Sequence, residues 1–425
     1  MTLTANEQYF LELVNRARLD PSGEAARFGI DLNEGLAPGT LNGTAKQVLA
    51  PNALLDTAAE IHSAWMIQTD IFSHTGAGGS DPGQRMTSAG YAFTGSWTWG
   101  ENIAWTGTTG TLNLAAAIDA HHRGLFLSHG HRENIENGAF REIGIAQVAG
   151  QFTSGGTTYN ASMATQDFAK SGTAVFLTGV VYSDADTNQF YSIGEGVAGT
   201  SFTIGAAATA SQAAGGYALA TTAALQNVTV QQGGQSSVVQ IDLSSGNGKL
   251  DLVDGNLFLT SASLKLISGV ADAGLLGVGA LSLTGNVAAN DLAGNSGANR
   301  INGAGGADTV AGGAGNDRLI GGGGADRLSG GLGSDIQTGG TGADRFVMND
   351  GDGKERVTDF SVAELDRLVL DDALWGNVVQ TAAQVVTSFA HVVAAGVAFD
   401  FGGGDVMTLA GLTTTAGLAG QIDFI

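Results

Sequence analysis

The chain has 425 residues, with 67 glycines, only 4 prolines, no cysteine and a formal net charge of −22. The missing cysteines exclude disulfides and thiolate metal sites, and so acidic a surface repels nucleic acid and anionic lipid while suiting a protein that collects cations. No run of about 18 apolar residues is present, so no membrane-spanning helix is expected, and residues 1–20 lack the basic stretch and apolar core of a Sec-type signal peptide, which leaves export to another route.

Residues 1–170 hold 9 of the 18 basic residues, 6 of the 7 histidines and 4 of the 5 tryptophans. They read as mixed helix and strand. Thr4 or Asn6 can cap a helix running through Arg18, with Phe10, Leu13, Val14 and Ala17 on one face. Helical spacing of Leu55, Ala58, Ala59, His62, Trp65 and Met66 predicts a second helix over 53–71, and a third is expected over 112–126.

Within this segment stand FSHTG around His74, GENIAW around Glu101 and SHGHRENI around His131, together with AGY at 89–91 and IGIAQV at 143–148. In combination these resemble the CAP superfamily of cysteine-rich secretory, antigen 5 and pathogenesis-related proteins, and its bacterial SCP-like branch most. The resemblance implies an α-β-α sandwich with a cavity lined by two His and up to two Glu. His74, Glu101 and His131 match that set, and Ser128 falls where many eukaryotic members carry the second Glu. Three readings follow. Two imidazoles and a carboxylate can hold zinc or another divalent ion. They can instead act as a general acid/base pair in a metal-dependent hydrolase, or form a polar network that only stabilises the fold. No nucleophilic cysteine or serine motif is present, and the missing second acid favours binding over turnover. His62 reads as a hydrogen-bonded core residue, and His121, His122 and His129 as core or surface residues.

Residues 171–299 carry only Lys249 and Lys265 as basic residues and alternate in the manner of short antiparallel strands. Asp184, Asp186, Asn188 and Glu195 fall at positions 1, 3, 5 and 12 of a loop, the EF-hand ligand spacing. Gln189 departs from it by replacing the turn glycine, and the flanks look like strand. The wider stretch resembles Cna-B or SdrD-type β-sandwich repeats, which carry similar acidic loops. The loop is either a calcium site or a solvated acidic turn.

Five nonapeptides follow over 303–347, placing Asp308, Asp317, Asp326, Asp335 and Asp344 nine residues apart without slip. Two weaker copies begin at Gly285 and Gly294, and in the second Asn299 replaces the aspartate. Calcium takes carboxylate and carbonyl oxygens together, and glycine lets the backbone turn its carbonyls inward. The eighth residue of each unit (Val310, Leu319, Leu328 and Phe346) can fill a core, with Gln337 as the exception. If two units make one coil, Asp308, Asp326 and Asp344 form one row, and Asn299, Asp317 and Asp335 the other, giving on the order of three to five calcium sites. Without calcium the carboxylates repel and the glycines cost entropy, so binding and folding form one equilibrium.

The segment resembles the RTX repeat, GGxGxDxUx, of calcium-binding proteins exported by type I secretion. That resemblance implies a parallel β-roll, a capping segment such as GDGKERVTDFSVAELDRLVL, and an uncleaved C-terminal export signal such as GDVMTLAGLTTTAGLAGQIDFI. The reading is thus multidomain: a CAP/SCP-like domain at 1–170, an antiparallel β-sandwich at 171–245, a β-rich connector at 246–284, RTX repeats at 285–347, and a β capping region with secretion signal at 348–425. It describes a secreted or cell-surface calcium-binding protein whose partners are calcium ions, the type I secretion machinery and an unidentified extracellular ligand. A structural surface or matrix protein is the further alternative.

Overall fold

A computed structural model describes residues 2–425. Two compact units divide the chain, one ending at Gln235 but also holding Asp242–Gly255, the other made of Ser236–Ile241 and Asn256–Ile425.

In the first unit, helix α1 (Ala5–Leu19) starts on a capping box. The Thr4 Oγ1 accepts the Glu7 backbone N–H, and the Glu7 carboxylate accepts that of Thr4. Its buried face is wider than the apolar stripe, because Gln8, Glu12, Asn15 and Arg18 are buried as well. Then come α2 (Pro21–Arg27), α3 (Ala53–Thr69), α4 (Pro82–Ser88), strand β1 (Thr98–Thr108), α5 (Leu114–Leu127), α6 (His129–Ile135), β2 (Glu142–Ser154) and β3 (Thr157–Lys170). Helix α3 stops short of residue 71 because Asp70 turns to a left-handed φ of 54°. Strand β3 pairs antiparallel with both β1 and β2, and Ala50–Pro51 adds a parallel edge to β2.

Period-two alternation along β2 sorts the helices into layers. Ile143 and Ile145 pack with Phe10, Val14, Ile118 and Phe126 of α1 and α5. Gly144, between them, faces α3, where an added methyl would lie 2.1 Å from the Leu55 carbonyl carbon. The Asp56 side chain accepts the Ile145 backbone N–H at 3.0 Å, which ties α3 to the strand. Helices therefore cover both faces of the sheet.

The β-rich middle follows. Val175–Tyr182 pairs antiparallel with Gly216–Thr221 and parallel with Gly248–Val253, and Ser201–Ile204 pairs with Ala207–Ala210.

The second unit is a parallel solenoid. It begins earlier than the repeats: Leu257–Thr260 already pairs parallel with Asp272–Leu275. Leu264 and Ala273 sit opposite Leu283 and Leu292, and from Leu283 opposite Ile301 the register settles at 18 residues. Leu283, Leu292, Ile301, Val310, Leu319, Leu328 and Phe346 stack along the interior with no exposure, and Gln337 occupies the same column. The roll continues past the repeats, with Val357 opposite Leu409 and Leu368 opposite Ile422. The capping region also contains a helix, Ala382–Phe389, among its expected strands. Thr381 and Gln384 form its capping box.

Candidate functional site

The 18-residue register places the aspartates in two rows. Along one, the backbone N–H groups of Asn290, Asp308, Asp326 and Asp344 donate to Oδ1 of Asp308, Asp326, Asp344 and Asp366 at 2.8–3.0 Å. Along the other, those of Asn299 and Asp317 donate to Oδ1 of Asp317 and Asp335 at 2.7 and 2.6 Å. One carboxylate oxygen of each repeat aspartate thereby serves the turn before it. The other, Oδ2, is buried without a hydrogen-bond partner in Asp308, Asp317, Asp326, Asp335 and Asp344.

These oxygens face a common space beside the first glycine of each repeat. A methyl at Gly303 would lie 2.1 Å from Asp308 Oδ2 and 2.6 Å from the Gly321 carbonyl oxygen. At Gly312 the corresponding oxygens are Asp317 Oδ2 and Gly330 O, both at 2.4 Å, and at Gly321 they are Asp326 Oδ2 and Gly339 O at 2.3 and 2.5 Å. Carboxylate and carbonyl oxygens converge with nothing positive between them, an unfavourable arrangement for buried groups unless a proton or a cation neutralises them. Burial accordingly pushes the carboxyls of Asp308, Asp335 and Asp344 up to about 6, against the pull of the backbone N–H groups, and moves those of Asp317 and Asp326 in the same direction. Oxygen-only donors of mixed charge suit calcium. Asn299 heads its row differently, because its Oδ1 already accepts the Asn295 N–H at 2.9 Å.

The histidine cleft is assembled by α3, α4, α6 and β1. Glu101 on β1 is buried, with its Oε1 2.7 Å from Nδ1 of the half-exposed His74. Its Oε2 accepts from Arg85 on α4, which also donates to the carbonyls of His74 and Ser80 at 3.0 and 2.8 Å. His62 on α3 bonds the Ser73 carbonyl at 3.0 Å and lies 3.9 Å from Glu101 Oε2. The His131 ring on α6 stands 6.3 Å from that of His74, with its Nδ1 buried and unpartnered. Burial, then the neighbouring His74 and His129, push the His131 imidazole down toward its neutral form. Asn134 Nδ2 holds the Glu101 carbonyl at 3.2 Å. Opposite Glu101 in register lies Asp167 on β3, fully buried and pushed well up by burial and by the Glu101 charge. Ser128 sits at the junction of α5 and α6, where no side-chain bond caps α6.

Residues 11–168 match the model of the cysteine-rich secretory protein family, CAP, and residues 284–319 and 312–346 match that of the RTX calcium-binding nonapeptide repeat. The chain carries a CAP domain and a calcium-binding RTX roll. No curated protein matches it. Among solved structures, an extracellular protein containing an SCP domain from Bacillus anthracis str. Ames is 21% identical over 38% of this chain and 39% of that chain, with a TM-score of 0.25.

Within the CAP domain, both Glu101 oxygens are engaged, one by His74 and one by Arg85. The carboxylate therefore stands behind His74, fixing its tautomer and leaving Nε2 free, an arrangement common behind metal-ligating imidazoles. Arg85 and Asp167 lie outside the motifs read from sequence, and Asn134 lies inside SHGHRENI without being singled out there. Each lies distant in the chain from Glu101 and outside any short spacing. His121 and His122 serve the core, bonded to Ser162 Oγ at 2.9 Å and Glu24 Oε1 at 2.7 Å.

In the acidic loop, Asp184, Asp186 and Glu195 bring one ligand atom each within 4.8 Å of one another, which His74, Glu101 and His131 do not. Gln189 adopts a φ of 55°, taking the left-handed turn that glycine would otherwise supply. Asn188 is occupied locally, its Oδ1 accepting the Phe190 N–H at 2.6 Å.

Proposed function

We propose that this chain is exported through type I secretion and that its RTX roll folds when it meets calcium outside the cell. The observation that carries the reading is the set of five buried, unpartnered Asp Oδ2 atoms, those of Asp308, Asp317 and Asp326 converging with glycine carbonyls. Calcium supplies the positive charge those oxygens lack. Asp308, Asp326 and Asp344 would hold ions along one row, and Asp317 and Asp335 along the other. In a compartment poor in calcium the tract stays unfolded and able to pass a narrow conduit. Where calcium is millimolar, binding and folding proceed together. Asp184, Asp186 and Glu195 belong to the same reading as a separate calcium loop.

In the CAP domain, His74 and His131 form the working end of a cleft for a divalent metal or a small extracellular ligand, with Glu101 orienting His74. Zinc would be held by His74 Nε2 and His131 and would supply a Lewis-acidic contact for that ligand.

Circular dichroism of the full chain tests the first claim. A large gain of β signal is expected on adding calcium after chelator treatment, and an identical spectrum in excess chelator refutes it. Equilibrium dialysis against zinc tests the second. His74→Ala combined with His131→Ala is expected to abolish uptake while leaving the calcium-driven transition intact. Wild-type protein that takes up no zinc or other divalent ion at the cleft removes the metal assignment alone.

A further inference from the structure

Asp335 closes the run of aspartates in its row, and its surroundings differ from those of Asp308, Asp317 and Asp326. Beside Gly303, Gly312 and Gly321 the Asp Oδ2 is matched by a glycine carbonyl of the next coil. Beside Gly330 the second nearest oxygen is a carboxylate oxygen instead. A methyl there would lie 2.3 Å from Asp335 Oδ2 and 2.4 Å from Glu355 Oε2. Glu355 pairs in register with Asp335 on adjacent parallel strands, but 20 residues on, not 18.

Glu355 is 2% exposed, on a strand whose neighbours Lys354 and Arg356 point to solvent. A carboxylate turned inward against another carboxylate is a costly placement. Among the described residues of this unit, the ion pair is Arg367 with Asp423, and no chain cation reaches Glu355. Its Oε1 is buried and unpartnered, like Asp335 Oδ2. Its Oε2 accepts from Gln337 Nε2 at 2.7 Å. Gln337 is the one polar residue in the interior column of the repeats, so the break in the repeat pattern and the glutamate beyond it meet at one point.

We propose that Asp335 and Glu355 form a terminal calcium site of the roll, in which the Glu355 carboxylate replaces the carbonyl that a further repeat would contribute and Gln337 positions it. This rests on reading the rows as calcium sites. It adds a ligand from outside the repeats and a reason for the exception at Gln337. With two carboxylates in place of one carboxylate and a carbonyl, this site carries an extra negative charge and holds calcium more tightly than its neighbours.

Isothermal titration of the full chain with calcium is the test. Glu355→Gln keeps the side-chain shape and removes the charge. One calcium fewer per chain is expected, with the remaining binding and the calcium-driven β signal retained. Unchanged stoichiometry and affinity overturn the proposal. Should Glu355→Gln fail to fold, Gln337→Leu restores an apolar column residue and keeps both carboxylates. Loss of the positioning bond is then expected to weaken one site by about tenfold or more, and an isotherm identical to wild type overturns the proposal. Wild-type protein that binds no calcium refutes the row reading itself, whereas loss confined to Glu355→Gln leaves that reading standing.

Discussion

Lys249 shows how much one residue can hold together. It is fully buried on a strand of the β-rich middle, with Nζ 2.9 Å from Glu12 Oε2 of α1 and in contact with Asp251. Burial works against its charge, but the Asp251 and Glu12 carboxylates outweigh burial and raise its pKa. Burial also lifts Asp251 to about 6. Lys249→Met leaves two buried carboxylates facing each other, and a loss of about 3–5 kcal/mol is expected in urea unfolding of the first unit. A loss below about 1 kcal/mol, the scale of an exposed pair, contradicts this assignment. Lys249 stood out in the sequence as an isolated basic residue, but nothing local pointed to Glu12, since the two meet only through tertiary packing. Gln337 was likewise visible as an exception, and only the fold supplied Glu355 as its reason.

Among elements, the aspartate rows define a pH response. The carboxyls of Asp308, Asp335 and Asp344 release their protons near 6 in the folded roll, against an ordinary value of 3.8. Between those values the calcium-free folded roll binds more protons than the unfolded chain. Its stability is therefore fully present below the lower value and falls as pH rises through about 6. Two outcomes follow for circular dichroism: in excess chelator, acidification from pH 7 to about 4.5 increases β signal, and with calcium present the midpoint concentration rises below about pH 6 as protons compete. A chelated sample whose signal is flat across that interval contradicts the assignment. The rows were legible beforehand because nine-residue periodicity survives in the sequence unaltered. The coils before Gly285 were not, since Leu257–Thr260 and Asp272–Leu275 pair in parallel without repeat glycines or aspartates. The helix Ala382–Phe389 was missed among strand-like runs, though its capping pair of Thr381 and Gln384 is a local signal that could have marked it.

For the molecule as a whole, the three motifs around His74, Glu101 and His131 disclosed the CAP domain before any geometry was known. They did not disclose its wiring, because Arg85 reaches Glu101 from a different helix and Asp167 reaches it across the sheet. The acidic loop lay in between: its spacing was readable, with Gln189 as a departure from it, and the left-handed backbone at Gln189 turns as glycine would.

Because Asp308 sits above Asp326 and Asp317 above Asp335, successive nonapeptides alternate between opposite flanks. Duplicating or deleting a single unit ahead of Gly330 would swap the flank on which every later aspartate emerges and carry Glu355 across with Asp335, their pairing intact. Changes in multiples of two units preserve the phase. A change by an odd number of units would therefore turn the end of the roll to the other flank relative to the coils that begin it.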